Sequence, residues 1–185
     1  YTLDEIKIGV VGLGYVGLPL AVTFAKLYPV IGFDVSKKRV DQLKSGFDQT
    51  KELNNKELKL LEKVNVTCDI ADLSNCNCYI ITVPTPVDKN NTPDLTALRS
   101  ASKLVGSLLS DGDIVIYEST VYPGATEEDF EPILSAQSGL TYANNAEAQN
   151  DQVFHLGYSP ERINPGDQKH RLSDIVKVTS GSSAD

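Results

Sequence analysis

Glycines at the first, third and sixth positions of Gly12-Leu13-Gly14-Tyr15-Val16-Gly17 raise the first chemical possibility. The segment directly follows an apolar run and opens an amphipathic one, the strand-to-helix context in which this spacing carries meaning. There Gly12 permits a tight turn, Gly14 lets backbone come close to a ligand, and Gly17 lets the helix pack on the strand. The N–H groups around Tyr15 and Val16 then face outward at the helix start. The helix dipole adds roughly half a positive charge at that end, so a diphosphate is held without a basic side chain. Asp34 follows Gly14 by 20 residues and closes the next apolar run. A carboxylate there can accept hydrogen bonds from both hydroxyls of an adenosine ribose, and it repels a 2′-phosphate. The expected cofactor is therefore NAD. The cations Lys37, Lys38 and Arg39 leave NADP open, since a nearby cation can accommodate that phosphate.

Three later segments could add chemistry. Val83-Pro84-Thr85-Pro86 and Glu118-Ser119-Thr120-Val121-Tyr122-Pro123-Gly124 each follow an apolar run. In an open α/β sheet the carboxyl ends of strands face the ligand, so hydroxyls of Thr85, Ser119 and Thr120 would line a cofactor crevice. Ordinary turn chemistry accounts for the same residue types equally well. The third segment, Ser159-Pro160-Glu161-Arg162-Ile163-Asn164-Pro165-Gly166-Asp167, puts a carboxylate beside a guanidinium. Adjacent residues point apart, so Glu161 and Arg162 need not pair and each is open to a ligand, although a surface ion pair is the simpler account.

The elements that must position these residues alternate along the chain. Apolar, β-branched runs at Ile6 to Val11, Val30 to Phe33, Tyr79 to Val83, Ile114 to Tyr117 and Phe154 to Tyr158 predict buried parallel strands, which read as continuous apolar runs. Tyr15 to Tyr28 and Leu95 to Leu109 carry apolar residues every three or four positions and predict helices, the second capped by Asp94. Ser36 is placed to cap a helix through Val40 and Leu43, and Leu53 to Val64 reads as an exposed amphipathic helix. The polar run Thr141 to Gln152 reads as a surface loop. The alternation predicts an α/β fold, a doubly wound and mostly parallel sheet of Rossmann type.

Composition narrows the function classes. A net charge of −8 and a pI near 4.8 leave no basic face for nucleic acid. Cys68, Cys76 and Cys78 have no zinc spacing, and His155 and His170 stand alone, so no metal is expected. The apolar stretch Ile6 to Val22 follows Asp4 and Glu5 and contains glycines and Pro19, which excludes a signal peptide or membrane span. A cytoplasmic protein with reduced thiols is expected, with no membrane insertion. The chain opens at Tyr1 and closes on a polar stretch, which we read as trimming of a longer reading frame.

Together these motifs resemble the N-terminal NAD-binding domain of the UDP-glucose/GDP-mannose dehydrogenase family over nearly the whole chain, 1–185. The resemblance rests on Gly12-Leu13-Gly14-Tyr15-Val16-Gly17-Leu18-Pro19, on Asp34 followed by Arg39, and on Val83-Pro84-Thr85-Pro86. Pro93-Asp94-Leu95, Ser119-Thr120-Val121 and Ser159-Pro160-Glu161-Arg162 complete it. The last segment, with His170-Arg171-Leu172, is most similar to the branch acting on UDP-N-acetylhexosamines in surface-polysaccharide synthesis. The resemblance implies a UDP-sugar substrate oxidised at C6 in two hydride transfers to NAD, through a cysteine-bound thiohemiacetal and a thioester. It assigns Arg39 to the cofactor. It makes Glu161 the general base, has Thr120 position water near the nicotinamide, and puts Arg162 and Pro165 by the sugar nucleotide. Pro165 stands where UDP-glucose members carry a second glutamate, which makes UDP-glucose the poorer substrate guess. The family's nucleophilic cysteine lies in a C-terminal part that nothing here matches, so Cys68, Cys76 and Cys78 are read as non-catalytic. By the same resemblance the whole protein is a homodimer or larger.

Two other classes stay in view. A dehydrogenase of small β-hydroxyacids opens with a similar glycine loop, but Pro84-Thr85-Pro86 and the Glu161 segment argue against it. An NAD-sensing module without chemistry would share the cofactor site and lack the cysteine. Short-chain reductases are disfavoured because no tyrosine is followed four positions later by lysine, and a methyltransferase loop needs no third glycine.

Overall fold

The computed structural model describes residues 1–90, 92–145, 151–160 and 177–182. In chain order the strands are β1 (Ile8–Val11), β2 (Val30–Phe33), β3 (Val64–Thr67), β4 (Cys78–Ile81), β5 (Ile114–Tyr117), β6 (Thr141–Tyr142), β7 (Val153–Tyr158) and β8 (Ser180–Gly181). The helices are α1 (Gly17–Phe24), α2 (Lys37–Lys44), α3 (Asn55–Leu60), α4 (Thr96–Gly106) and α5 (Glu131–Ser138).

Central strands β1 and β4 are buried at every position, the pattern of strands covered on both faces. Strand order is β3-β2-β1-β4-β5-β7-β6, with β8 beside β7. All pairings along this path are parallel, and only β7 with β8 is antiparallel. The expected doubly wound sheet is therefore the observed one. The chain runs outward from β1 through β2 and β3, then returns to place β4 on the opposite side of β1. Between β1 and β4 the crossovers diverge and leave a crevice at the carboxyl edge.

Side chains alternate across that sheet into two cores. Val10, Leu18, Val22, Val40, Leu43 and Ile80 fill the face under α1 and α2. Tyr79, Leu98, Val115, Tyr117, Phe130 and Leu134 fill the face under α4 and α5. In the second core the Tyr117 and Phe130 rings stack at 4.7 Å, and the Tyr117 hydroxyl shares a 2.6 Å hydrogen bond with Ser102. These buried contacts hold the end of β5 against α4, which sets one wall of the crevice.

Several local readings need correction. The helix expected over Leu53 to Val64 is only α3, capped reciprocally by Asn54 and Glu57, followed by a tight turn at Leu61–Lys63. Val64 opens β3 instead, because Val64 and Val66 pair with β2 and bury their branched side chains. The helix expected over Tyr15 to Tyr28 is confined to α1. Within the run read as a loop from Thr141, Tyr142 is buried in β6 with its ring 6.0 Å from Phe154. The segment leading into α5, Thr126–Phe130, forms one wide π turn. Asp94 sits one residue outside the assigned cap of α4, yet its Oδ1 accepts the Thr96 N–H at 2.9 Å. Ser36 caps α2 as expected, accepting from the Arg39 N–H.

Candidate cofactor cleft

Where β1 meets α1, the backbone is held tightly before any ligand is considered. Gly12 has φ +100°, a conformation that side chains other than glycine's rarely adopt. Its N–H donates to the Phe33 carbonyl at 2.8 Å, and its own carbonyl accepts the Thr82 hydroxyl at 2.7 Å. A Cβ on Gly17 would lie 1.9 Å from the Gly12 carbonyl oxygen, so this glycine permits the helix to meet the turn. A Cβ on Gly14 would meet nothing within 4 Å. Packing therefore gives no reason for glycine at that position, and a ligand lying close to the backbone does.

No side chain caps the start of α1. Val16 occupies its cap and offers no side-chain acceptor, and its first turn carries no acidic residue. By contrast, Ser36 and Asn54 cap α2 and α3 with their own side chains. The first N–H groups of any helix lack internal acceptors, so this end stays suited to an anion.

That end opens into a cleft of about 560 Å³ lined by Gly12, Gly14, Tyr15 and Val16 from the glycine loop and by Asp34 from the end of β2. Thr82, Thr85, Ser119 and Thr120 line it from the ends of β4 and β5. The cleft follows the switch point between β1 and β4. Eight of the ten residues expected to bind cofactor therefore meet in one place. The volume lies within the range of small-molecule sites.

Gly17 and Arg39 do not line the cleft. Arg39 works from behind: its Nε donates to the Leu13 carbonyl at 2.9 Å, and its Nη2 lies 2.9 Å from Asp48 Oδ1. Asp48 is buried and also accepts from the Thr50 hydroxyl at 2.6 Å and from the N–H groups of Thr50, Glu52 and Leu53. Burial opposes the charge on Asp48, but the Thr50, Leu53 and Arg39 donors outweigh it and hold its pKa below the usual carboxylate value. The same Leu13 peptide is gripped from its other side, where its N–H donates to Asp34 Oδ2 at 2.9 Å. Asp34 Oδ1 accepts the Ser36 N–H at 2.8 Å, which fixes the orientation of the carboxylate.

The hydroxyls expected in the crevice divide in role. Ser119 is buried and its Oγ donates to the Val83 carbonyl at 2.7 Å, tying the β4 and β5 loops together. Thr120 is exposed at the cleft edge, and Thr85 is half-buried in the wall. Sequence reasoning missed Thr82, Val35, the carboxylate of Glu118 and the small residues Ala97, Ser100 and Ala101 of α4, all of which line the cleft. The residue type of Glu118 was a usable signal, whereas Thr82 is hidden inside an apolar run. Glu161, Arg162, Pro165 and His170 lie outside the described residues.

None of the three cysteines lines the cleft. Burial pushes the Cys76 thiol up to about 11 and the Cys78 thiol up to about 12, far above a working nucleophile. Cys68 is exposed beyond β3. Among the described residues no three of His, Cys, Asp and Glu gather to hold a metal ion, and no helix is long and apolar enough to cross a membrane.

Comparison with known proteins agrees with this geometry. The chain is 54% identical over 184 residues to the UDP-N-acetyl-D-glucosamine 6-dehydrogenase of Salmonella typhi, covering 100% of this chain and 41% of that protein. It is 53% identical over 180 residues to the enzyme of the same name from Pseudomonas aeruginosa, covering 97% of this chain and again 41% of the relative. Among solved structures, the UDP-D-ManNAc dehydrogenase of Pyrococcus horikoshii superposes with a TM-score of 0.80 at 32% identity, covering 95% of this chain and 41% of that one. The chain thus spans about two fifths of the length of these relatives. Residues 6–184 match the NAD-binding domain of the UDP-glucose/GDP-mannose dehydrogenase family, and the chain belongs to that family.

Proposed function

We propose that this chain is the NAD-holding part of a nucleotide-sugar 6-dehydrogenase that oxidises the C6 alcohol of a UDP-N-acetylhexosamine to a uronic acid, with UDP-N-acetyl-D-glucosamine as the first substrate to test. The observation carrying the sugar assignment is the identity gradient. It stands at 54% and 53% to the two UDP-N-acetyl-D-glucosamine 6-dehydrogenases, against 34% to the UDP-N-acetyl-D-mannosamine dehydrogenase of Pyrococcus horikoshii.

The cleft suits the cofactor. The uncapped start of α1 and the open space above Gly14 receive the diphosphate, and the fixed carboxylate of Asp34 receives the adenosine ribose. When bound, NAD supplies the hydride acceptor for C6. In this reading the exposed Thr120 positions water and the nicotinamide side, while Glu161 is the general base and Arg162 and Pro165 lie by the sugar nucleotide. The nucleophilic cysteine belongs to a further part of the whole protein, which we place in the cytoplasm as a homodimer or larger, serving surface-polysaccharide synthesis.

Calorimetry on the 185-residue chain is expected to show NAD binding, and mixing with NAD and UDP-N-acetyl-D-glucosamine to yield no NADH. The full-length protein is expected to reduce NAD faster with that sugar than with UDP-glucose. Preference for UDP-glucose would overturn the sugar assignment, and absence of NAD binding would overturn the cofactor site.

A further inference from the structure

One residue of the cleft wall, Glu118, is ion-paired with Lys177, and the pair has no task in the reaction as described. Glu118 is the first residue beyond β5, where its N–H donates to the Ile81 carbonyl at 2.9 Å. Its side chain is only 7% exposed and it lines the cleft. Lys177, 20% exposed, donates its ammonium to Glu118 Oε2. The lysine sits three residues ahead of β8, so an otherwise remote segment delivers a cation to this wall. Stability is a weak reason for such a pair, because desolvating two charges offsets most of their attraction, and apolar residues of similar size commonly serve as well.

The direction of the dinucleotide gives the pair a use. With the adenosine ribose at Asp34 beyond β2 and the diphosphate at the start of α1, the remaining half must cross the switch point toward the ends of β4 and β5. Thr85, Glu118 and Thr120 line the cleft there. The nicotinamide ring is a cation when oxidised and neutral when reduced, so a fixed charge in that wall acts on one form and hardly on the other. A carboxylate favours the oxidised form, and an ammonium opposes it.

We propose that Glu118 and Lys177 set the relative affinity of the cleft for the oxidised and reduced dinucleotide, Glu118 favouring the oxidised ring and Lys177 offsetting that preference so that neither form is held at the expense of the other. The proposal rests on the NAD reading of the cleft. Lys177→Gln removes one positive charge from the wall, Glu118→Gln removes one negative charge, and the double variant leaves the sum unchanged.

Dissociation constants for NAD+ and NADH, measured by calorimetry on the full chain and these three variants, test it. The ratio Kd(NADH)/Kd(NAD+) is expected to rise roughly fivefold in Lys177→Gln and to fall by a similar factor in Glu118→Gln, as one unit charge acts through a partly screened wall. The double variant is expected to return within about twofold of the parent chain. Lys177→Met keeps the apolar stem, removes the same charge and serves if Lys177→Gln does not fold. A pair that only braces the wall would change both constants together and leave the ratio unmoved, and that result overturns the proposal. Failure of the parent chain to bind either form would overturn the cofactor assignment and the proposal with it.

Discussion

The carboxylate of Asp34 accepts the Leu13 N–H at 2.9 Å, so the residue proposed to receive an adenosine ribose also fixes the glycine loop at the start of α1. One substitution therefore strikes two parts of the site. Asp34→Ala is expected to weaken NAD binding by about 10- to 100-fold, the worth of losing charge-assisted hydrogen bonds, and to lower the melting temperature as well. Calorimetry paired with thermal unfolding checks this, and unchanged NAD affinity would exclude Asp34 from the site.

Gly14 and Gly17 separate binding from folding. A Cβ at Gly14 meets open space, so Gly14→Ala is expected to alter stability by no more than about 0.5 kcal/mol while reducing NAD affinity at least about tenfold. The Gly17→Ala methyl would sit 1.9 Å from the Gly12 carbonyl oxygen and is expected to cost several kcal/mol. Urea unfolding of both variants is the measurement. Equal stability losses would show that Gly14 serves packing.

Arg39 holds the loop through geometry as well as charge. Lysine cannot donate from an Nε to the Leu13 carbonyl while also reaching Asp48, so Arg39→Lys is expected to destabilise the chain by about 1–3 kcal/mol. It is also expected to weaken NAD binding indirectly. Full retention of stability would mean that the brace is dispensable.

Asp48 makes part of this stability depend on acid. Its folded pKa is depressed, so its contribution is present above the unfolded carboxylate value and is lost as pH falls through the lower folded value. Melting temperature followed from pH 6 down to pH 3 is expected to fall less steeply in Asp48→Asn, which starts from a lower value, than in the parent chain. Parallel curves would locate the acid sensitivity elsewhere.

The three thiols should differ sharply in reactivity. With Cys76 and Cys78 buried and pushed up to about 11 and about 12, only the exposed Cys68 is expected to react promptly with a thiol reagent at pH 8. All three should react after denaturation. Rapid reaction of two or more thiols in the native chain would contradict the buried strand positions.

Legibility followed the length over which a pattern could repeat. β1, β2, β4, β5 and β7 were readable because strands buried on both faces show as apolar runs. β3 was hidden because Val64 fits equally well as the end of an amphipathic helix and the start of a strand. β6 is two residues long, and its one buried aromatic, Tyr142, has no repeat to betray it. In the cleft, Gly12 and Asp34 were legible because a positive φ and a carboxylate that accepts two backbone N–H groups are tasks that few residue types can do. Thr82 was not, since a hydroxyl that caps the Gly12 carbonyl resembles any other β-branched strand residue until β1 and β4 are side by side.

Sequence by itself determined the fold class, the glycine turn at the start of α1 and the carboxylate beside it, because these depend on local conformation and on spacing along the chain. The tertiary structure alone decided that Arg39 braces the loop from behind, that Ser119 spends its hydroxyl on Val83, and that Lys177 reaches Glu118. Those roles depend on which distant segments the sheet order brings together, and side-chain type does not encode that neighbourhood.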